Sequence, residues 1–291
     1  MNRRLYLLFG VLFLVSTACR AGVSVVDDLH RTVTLPSSAQ RVVSLAPSIT
    51  ETLFAIGAGD QVVGVTDYCN YPEEAKQKPR VGGVVNPNLE TILSMNPDLI
   101  ILSMEGNVRE DFNKLVSFGV PVFVTNPRSL EGIYKSITDI GALCGRASQA
   151  GQLVDDMQLR ENAITARRVS YKPRALFLVS LQPLIVVGSG SFLAELLELA
   201  GAFNCAGSSY SSYPTYSRES VLAENPEILL VTSDIVTDLS GLVALYPEWK
   251  QIDAVRTGNV FRIDADMVSR PGPRAIEALE TLFHIIQKAR K

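Results

Sequence analysis

Histidine is nearly missing from this chain: His30 and His284 are the two in 291 residues. A Ser-His-Asp hydrolase or a multi-histidine metal site would have to be built from that pair alone. Positive charge is not concentrated anywhere. Lys and Arg number 27 against 30 Asp and Glu, for a net charge of -3 and a pI near 5.6. The basic stripe of a nucleic-acid binder is therefore absent. Cysteine is scarce, at four residues, and no C-x-x-C or C-x-x-H spacing supports a zinc site. No nucleophile elbow is present either, so an exported α/β enzyme is the remote alternative. What remains is an ordinary globular composition, 47% hydrophobic and 20% charged, long enough for two domains of about 130 residues each.

The one sustained apolar run lies at the start. Arg3 and Arg4 precede Leu5 to Val15, and small residues follow at Ser16, Thr17 and Ala18. Leu5 to Ala18 is roughly 14 residues, or about 21 Å of helix, too short for a hydrocarbon core of about 30 Å. The pattern is that of a secretory signal peptide, taken as residues 1–21. Ser-Thr-Ala-Cys19 also resembles a bacterial lipoprotein signal, which makes Cys19 a candidate lipidation site; Ser16 stands where a leucine is usual. Cleavage after Ala18 or Ala21 is the alternative, and either route exports the protein to the periplasm. Cys69, Cys144 and Cys205 remain. An oxidising compartment permits one bridge among them and leaves one thiol over, with the pair undetermined.

The chain repeats itself. Glu90-Thr-Ile-Leu-Ser-Met-Asn-Pro-Asp98 aligns without a gap on Glu219-Ser-Val-Leu-Ala-Glu-Asn-Pro-Glu227, and each runs into a buried-strand pattern, Leu99 to Leu102 and Ile228 to Val231. Ala175 to Ser180 echoes Val42 to Leu45, and the helices that follow end in Ala55-Ile-Gly-Ala-Gly59 and Leu199-Ala-Gly-Ala-Phe203. Short apolar runs alternate with helical patterns in both halves, the sign of βα units and a mainly parallel sheet. Strands are predicted near 41–46, 62–65, 99–103 and 121–125, with helices near 49–58, 88–95, 107–118 and 130–143. The second half offers strands near 174–180, 184–187, 228–232 and 259–263, and a closing helix over 272–289. Val23 to Leu35 reads as a hairpin turning at Asp27-Asp28. From Ala147 to Arg168 no proline occurs, and Leu153, Met157 and Ile164 recur at helical spacing, which predicts one continuous connecting helix of about 33 Å. The expected organisation is an α/β lobe over 22–145, a linking helix within 146–170 and a second α/β lobe over 171–291.

Ligands of parallel α/β sheets sit outside the carboxyl ends of the strands, so two facing lobes would enclose a cleft. Tyr68 and Tyr71 fall in one expected cleft loop, and Tyr210, Tyr213 and Tyr216 in another. Tyrosine offers a broad apolar face with one polar tip, suited to a large ligand of mixed surface; Tyr68 and Tyr213 are the candidates for contact. Gly188-Ser-Gly190-Ser191 imitates a phosphate loop but lacks the third glycine, and Ser191 serves as a helix N-cap, so a turn is expected. Arg270 could meet an acidic or amide-rich ligand edge, Arg274 is expected to brace the fold, and Trp249 to be core. Glu90 and Glu219 occupy equivalent positions at the starts of two short helices. The helix dipole favours an acid there by up to about 1 kcal/mol, but matched acids on pseudo-symmetric lobes also suit a symmetric partner answering with arginines.

With those residues in view, the chain resembles the class III periplasmic solute-binding proteins of ABC importers, the group that carries cobalamin, haem and iron–siderophore complexes. The resemblance covers residues 23–290 and includes Arg41-Val-Val-Ser-Leu-Ala-Pro-Ser-Ile-Thr-Glu51, Asn96-Pro-Asp-Leu-Ile100, Ser217-Arg-Glu219 and Trp249-Lys-Gln-Ile-Asp-Ala-Val255. It implies two Rossmann-like lobes joined by one long α-helix, no enzymatic activity, and delivery of cargo to a permease dimer with its ATPase subunits. Asp67-Tyr-Cys-Asn-Tyr-Pro72 is similar to the cleft loop of cobalamin-carrying members, which implies a corrinoid cargo against Tyr68, with a ferric siderophore or haem as alternatives. Val84, Tyr213 and Met267 stand where those members carry cleft tryptophans. Glu90 and Glu219 match the glutamates that salt-bridge to permease arginines. No cofactor and no metal site are implied beyond the cargo, and a monomer is expected.

Overall fold

The computed structural model describes residues 22–167, 171–209, 211–235 and 239–289. The expected signal at 1–21, Cys19, Tyr210 and the final two residues lie outside them.

The chain opens with the hairpin of β1 (Val23–Val26) and β2 (Thr32–Leu35), antiparallel as expected. Asp27 turns it by accepting from the backbone of Leu29 and Arg31. Then follow β3 (Val42–Ser44), α1 (Pro47–Ala55), β4 (Val62–Val65), α2 (Leu89–Ser94) and β5 (Leu99–Ser103). The first lobe closes with α3 (Arg109–Ser117), β6 (Val122–Thr125) and α4 (Leu130–Leu143). Its sheet has the order β4-β3-β5-β6, parallel throughout. Every residue of β5 and β6 is buried, as helices on both faces require of a parallel sheet.

Helix α5 (Ala147–Thr165) carries the chain across. It buries Ala150, Met157 and Ile164, packs on α4, and meets the C-terminal helix, where Arg160 forks onto Glu280 at 2.9 and 2.8 Å.

The second lobe runs β7 (Arg174–Leu181), β8 (Leu184–Val186), α6 (Phe192–Leu199), β9 (Phe203–Asn204), α7 (Arg218–Glu224) and β10 (Ile228–Thr232). It ends with α8 (Leu239–Leu245), α9 (Asp253–Arg256), β11 (Val260–Ile263), α10 (Ala265–Val268) and α11 (Ala275–Ala289). The sheet order is β11-β10-β7-β8, and β9 also pairs with β7. The short helices α8, α9 and α10 were not expected from the sequence. They are too brief to show a helical period.

The repeat is real but imperfect. Strands β3, β5 and β6 correspond to β7, β10 and β11. The counterpart of β4 is not β8 but β9, which likewise follows its helix and runs parallel to the central strand. The expected strand at 184–187 is an antiparallel addition. Its connection to β7 is only Gln182-Pro183, and a parallel neighbour would need a crossover of about a dozen residues or more.

One apolar cluster spans both lobes, taking Ile133, Ile137 and Ile140 from α4, Met157 from α5, Leu193 and Leu197 from α6, and Leu279 and Leu282 from α11. Two smaller clusters lie on the far faces of the sheets, and Trp249 is buried in the second, 4.2 Å from the ring of Tyr246. Cys69, Cys144 and Cys205 are each buried as free thiols, so no pair among them is bridged. Burial pushes the thiols of Cys144 and Cys205 up to about 12 and about 11.

A buried ion cluster joins the lobes. Glu51 of α1 is 3% exposed and accepts from Arg270 at 2.9 Å and from Arg274 at 2.8 and 2.6 Å. Removing one member of such a cluster leaves an uncompensated buried charge. Glu51→Ala should therefore lower unfolding stability by about 3–5 kcal/mol, and Glu51→Gln by less; urea denaturation measures both. A midpoint unchanged in Glu51→Ala would refute the bracing role.

Candidate functional site

Between the lobes lies an open cleft of about 1010 Å³. Ligand pockets run to about 1,000 Å³, so it is sized for a large molecule. Its walls come from chain just beyond the carboxyl ends of strands. Pro47 and Ser48 follow β3, Tyr68 follows β4, Glu105 follows β5 and Arg128 follows β6. Opposite them, Asp234 follows β10, and Ala265, Asp266 and Val268 to Pro271 follow β11, while Ile185 sits on β8.

Tyr68, Val84 and Tyr213 all line this cleft, the first two from one lobe and the third from the other. Tyr68 and Val85 are each 63% exposed, and Tyr213 is exposed on the facing lobe. Large apolar groups left in water at one concave place mark a binding surface. Partial burial, with Glu105 acting on it, raises the Tyr213 phenol further above neutral pH, where a phenol is already protonated and able to donate. Burial also raises Glu105, and Arg128 partly offsets this.

One expected cleft residue is placed differently, and another lines the cleft with its charge already paired. Met267 is not among the residues lining the cavity: it is partly buried against the shared apolar core, in which its neighbour Val268 is fully buried. Arg270 reaches the cleft wall, but its guanidinium is already committed to Glu51, to Asn70 at 2.8 Å and to Asp266 at 2.6 Å. Only 6% exposed, it supports the wall and carries little free positive charge into the cavity. Arg274 braces the fold as expected, forking onto Glu51 and lying 4.4 Å over the Tyr71 ring. His30 and His284 are outside the cleft, at the hairpin turn and on α11.

The loop carrying Tyr213 is held from both sides. Arg128 donates across the cleft to Ser212 Oγ at 3.0 Å and to the Gly190 carbonyl at 3.3 Å. Gly188 lies flat against the same loop, its N–H donating to the Ser212 carbonyl at 2.9 Å. The Gly188–Ser191 segment is thus a packing turn, and Ser191 caps α6 by accepting from the Ala194 N–H. Neither Arg128 nor Glu105 was identified from sequence.

Glu90 and Glu219 stand exposed at the second position of α2 and α7. Asn88 and Ser217 cap these helices in the same way, each accepting from the N–H three residues on. Both helices stop at an asparagine in the left-handed region, Asn96 at φ 46 and Asn225 at φ 41, each followed by proline. Arg41 and Arg174 then bind the last carbonyls of α2 and α7, and Asp98 and Glu227 accept from the N–H groups of those same arginines. The Glu219 carboxyl is held below its usual range by its own backbone N–H and the Ser217 hydroxyl.

Comparison with known proteins agrees with this architecture. Residues 42–267 match the family described as "Periplasmic binding protein". The chain is 29% identical over 255 residues to the vitamin B12-binding protein of Vibrio parahaemolyticus, covering 87% of this chain and 91% of that one. It is 31% identical over 273 residues to an uncharacterized ABC transporter substrate-binding lipoprotein of Bacillus subtilis, covering 91% and 85%. Among solved structures, the apo periplasmic haem-binding protein of Roseiflexus sp. RS-1 superposes with a TM-score of 0.79 at 28% identity, over 87% of this chain and 100% of that one. The vitamin B12-binding protein of Vibrio cholerae does so at 0.70 and 27%, over 87% and 98%.

A Cβ at Gly188 would meet the Ser211 carbonyl oxygen at 2.1 Å. Gly188→Ala should cost about 1–3 kcal/mol through that clash, seen as a lower thermal midpoint, and should displace Tyr213. An unchanged midpoint would mean that the loop is not pinned there.

Proposed function

The chain belongs to the periplasmic binding protein family, and we propose that it carries a corrinoid, captured in the interlobe cleft and delivered to the permease of an ABC importer. The observation that carries this reading is the cleft itself, large enough for a macrocycle and presenting one tyrosine from each lobe, Tyr68 and Tyr213. The similarity to vitamin B12-binding proteins over most of the chain supports the choice of cargo. A planar ligand with an apolar face and a polar rim would rest on the rings while the protonated Tyr213 hydroxyl donates to its edge.

Haem or a ferric siderophore is the second reading, favoured by the fold shared with haem-binding proteins. Iron ligation would then fall to Tyr68 or Tyr213, since both histidines lie outside the cleft. In either reading the protein works beyond the cytoplasmic membrane, exported by its first residues and tethered if Cys19 is lipidated.

Lobe movement on capture is small. The continuous core, α5 and the Glu51 cluster resist opening, where a flexible linker would not. Delivery instead uses Glu90 and Glu219, which two identically capped helices hold out to a pseudo-symmetric partner, a permease dimer offering arginines.

Calorimetric titration with cyanocobalamin, haemin and a ferric hydroxamate tests the cargo. One-to-one submicromolar binding of the corrinoid, with the others silent, is the expected result; binding of an iron complex alone would overturn it. Combining Glu90→Ala with Glu219→Ala should abolish transport and leave corrinoid affinity unchanged. Reduced affinity in that double variant would refute the docking role.

A further inference from the structure

The internal repeat extends beyond the docking helices. Continued without a gap from Glu90 and Glu219, it pairs β5 with β10, Ser103 with Thr232, and Glu105 with Asp234. The cleft is therefore bordered by a second matched pair of acids, one from each lobe, two residues past the end of equivalent strands. Both line the cavity.

The charge around them leans acidic, three acids against two arginines. Of the other charged residues lining the cleft, Asp266 and Arg270 neutralise each other at 2.6 Å, and Arg270 shares Glu51 with Arg274. Arg128 is turned toward the Tyr213 loop and lies close enough to Glu105 to lower its pKa, partly against burial. Asp234 has no hydrogen bond or ion pair among the described residues. Beside it, the Thr232 hydroxyl is unsatisfied: the residue is 6% exposed, lines the cleft, and its Oγ1 has no partner. A buried hydroxyl without a partner is costly and marks a place where a polar group is to arrive.

We infer that Glu105, Asp234 and Thr232 make the cleft selective for a neutral or cationic ligand whose rim bears amide groups, and set it against ligands bearing carboxylates. Amide N–H groups would donate to the two acids, and an amide would satisfy the Thr232 hydroxyl. A carboxylate beside Asp234 would face an acid that no cation pairs among the described residues, and one beside Glu105 would have only Arg128, already shared with that acid, to answer it. The inference rests on the corrinoid reading for its first probe, since corrinoids occur with their peripheral groups either amidated or as free acids.

The test measures affinity for two pairs of probes that differ in charge: cyanocobalamin against cobyrinic acid, and a cationic ferric trihydroxamate against an anionic ferric tricatecholate. Wild type should prefer the uncharged or cationic member of each pair that it binds by ~10-fold or more. Glu105→Gln with Asp234→Asn keeps acceptor oxygens but removes the charge, and should narrow that preference ~10-fold. The single variants should each narrow it in part. The wild-type preference should also shrink as salt rises from about 0.05 to about 0.5 M, an effect that screening imposes on charge and not on shape. Cyanocobalamin binding with the preference unchanged in the folded double variant overturns the selectivity and leaves the corrinoid reading standing. Silence toward both corrinoids, with the siderophore preference present and narrowed in the variant, overturns the corrinoid reading and leaves the selectivity. Silence toward all four overturns both.

Discussion

Glu51 sits at the point where the two lobes meet, with both carboxylate oxygens taken by arginines that begin the last helix. Burying a carboxylate costs several kcal/mol unless its partners are fixed in place, so α1 and the start of α11 must stay in register. The consequences spread outward from there. Arg270 is drawn into the wall of the cleft and away from its interior. Asn70 and Asp266 are brought together at 2.8 Å across the lobes, and Arg274 is laid over Tyr71.

This bracing has a functional meaning. A carrier that relied on a swinging hinge would signal its loaded state by closure. Here α4, α5, α6 and α11 bury one continuous core across the boundary, which ties the two lobes that carry Glu90 and Glu219 to each other. Ligand recognition is left to side chains at the mouth, several of which remain in water: Tyr68, Val85 and Tyr213.

Pseudo-symmetry organises both lobes. The duplicated unit supplies a cap, an exposed glutamate, an asparagine stop and an arginine bracket in each lobe, and then an acid beyond each following strand. The lobes differ in the short helices α8, α9 and α10 of the second and at its sheet edge, where β8 is an extra antiparallel strand and β9 is only two residues long. There the second lobe built the platform that holds the Tyr213 loop.

The strands at the sheet centres, the connecting helix and the paired glutamates were legible in the sequence because each is a local pattern: a run of β-branched and aliphatic residues, an uninterrupted helical composition, a capped turn repeated. The family resemblance rests on the same local segments. The cleft was legible in part: Tyr68 and Tyr213 could be named from their loops and Val84 from the family resemblance, but Arg270 and Met267 face partners that lie far away in the chain. A charged side chain looks available to a ligand until the fold supplies its counter-ion, and Glu51 is that counter-ion from the opposite lobe. Glu105, Asp234, Thr232 and Arg128 belong to no local motif, and only folding brings them to one cavity. The sequence alone determined which elements form and that they form twice. The tertiary structure decided which charges are cancelled and which are left to face a ligand, because that depends on contacts between lobes that no local pattern encodes.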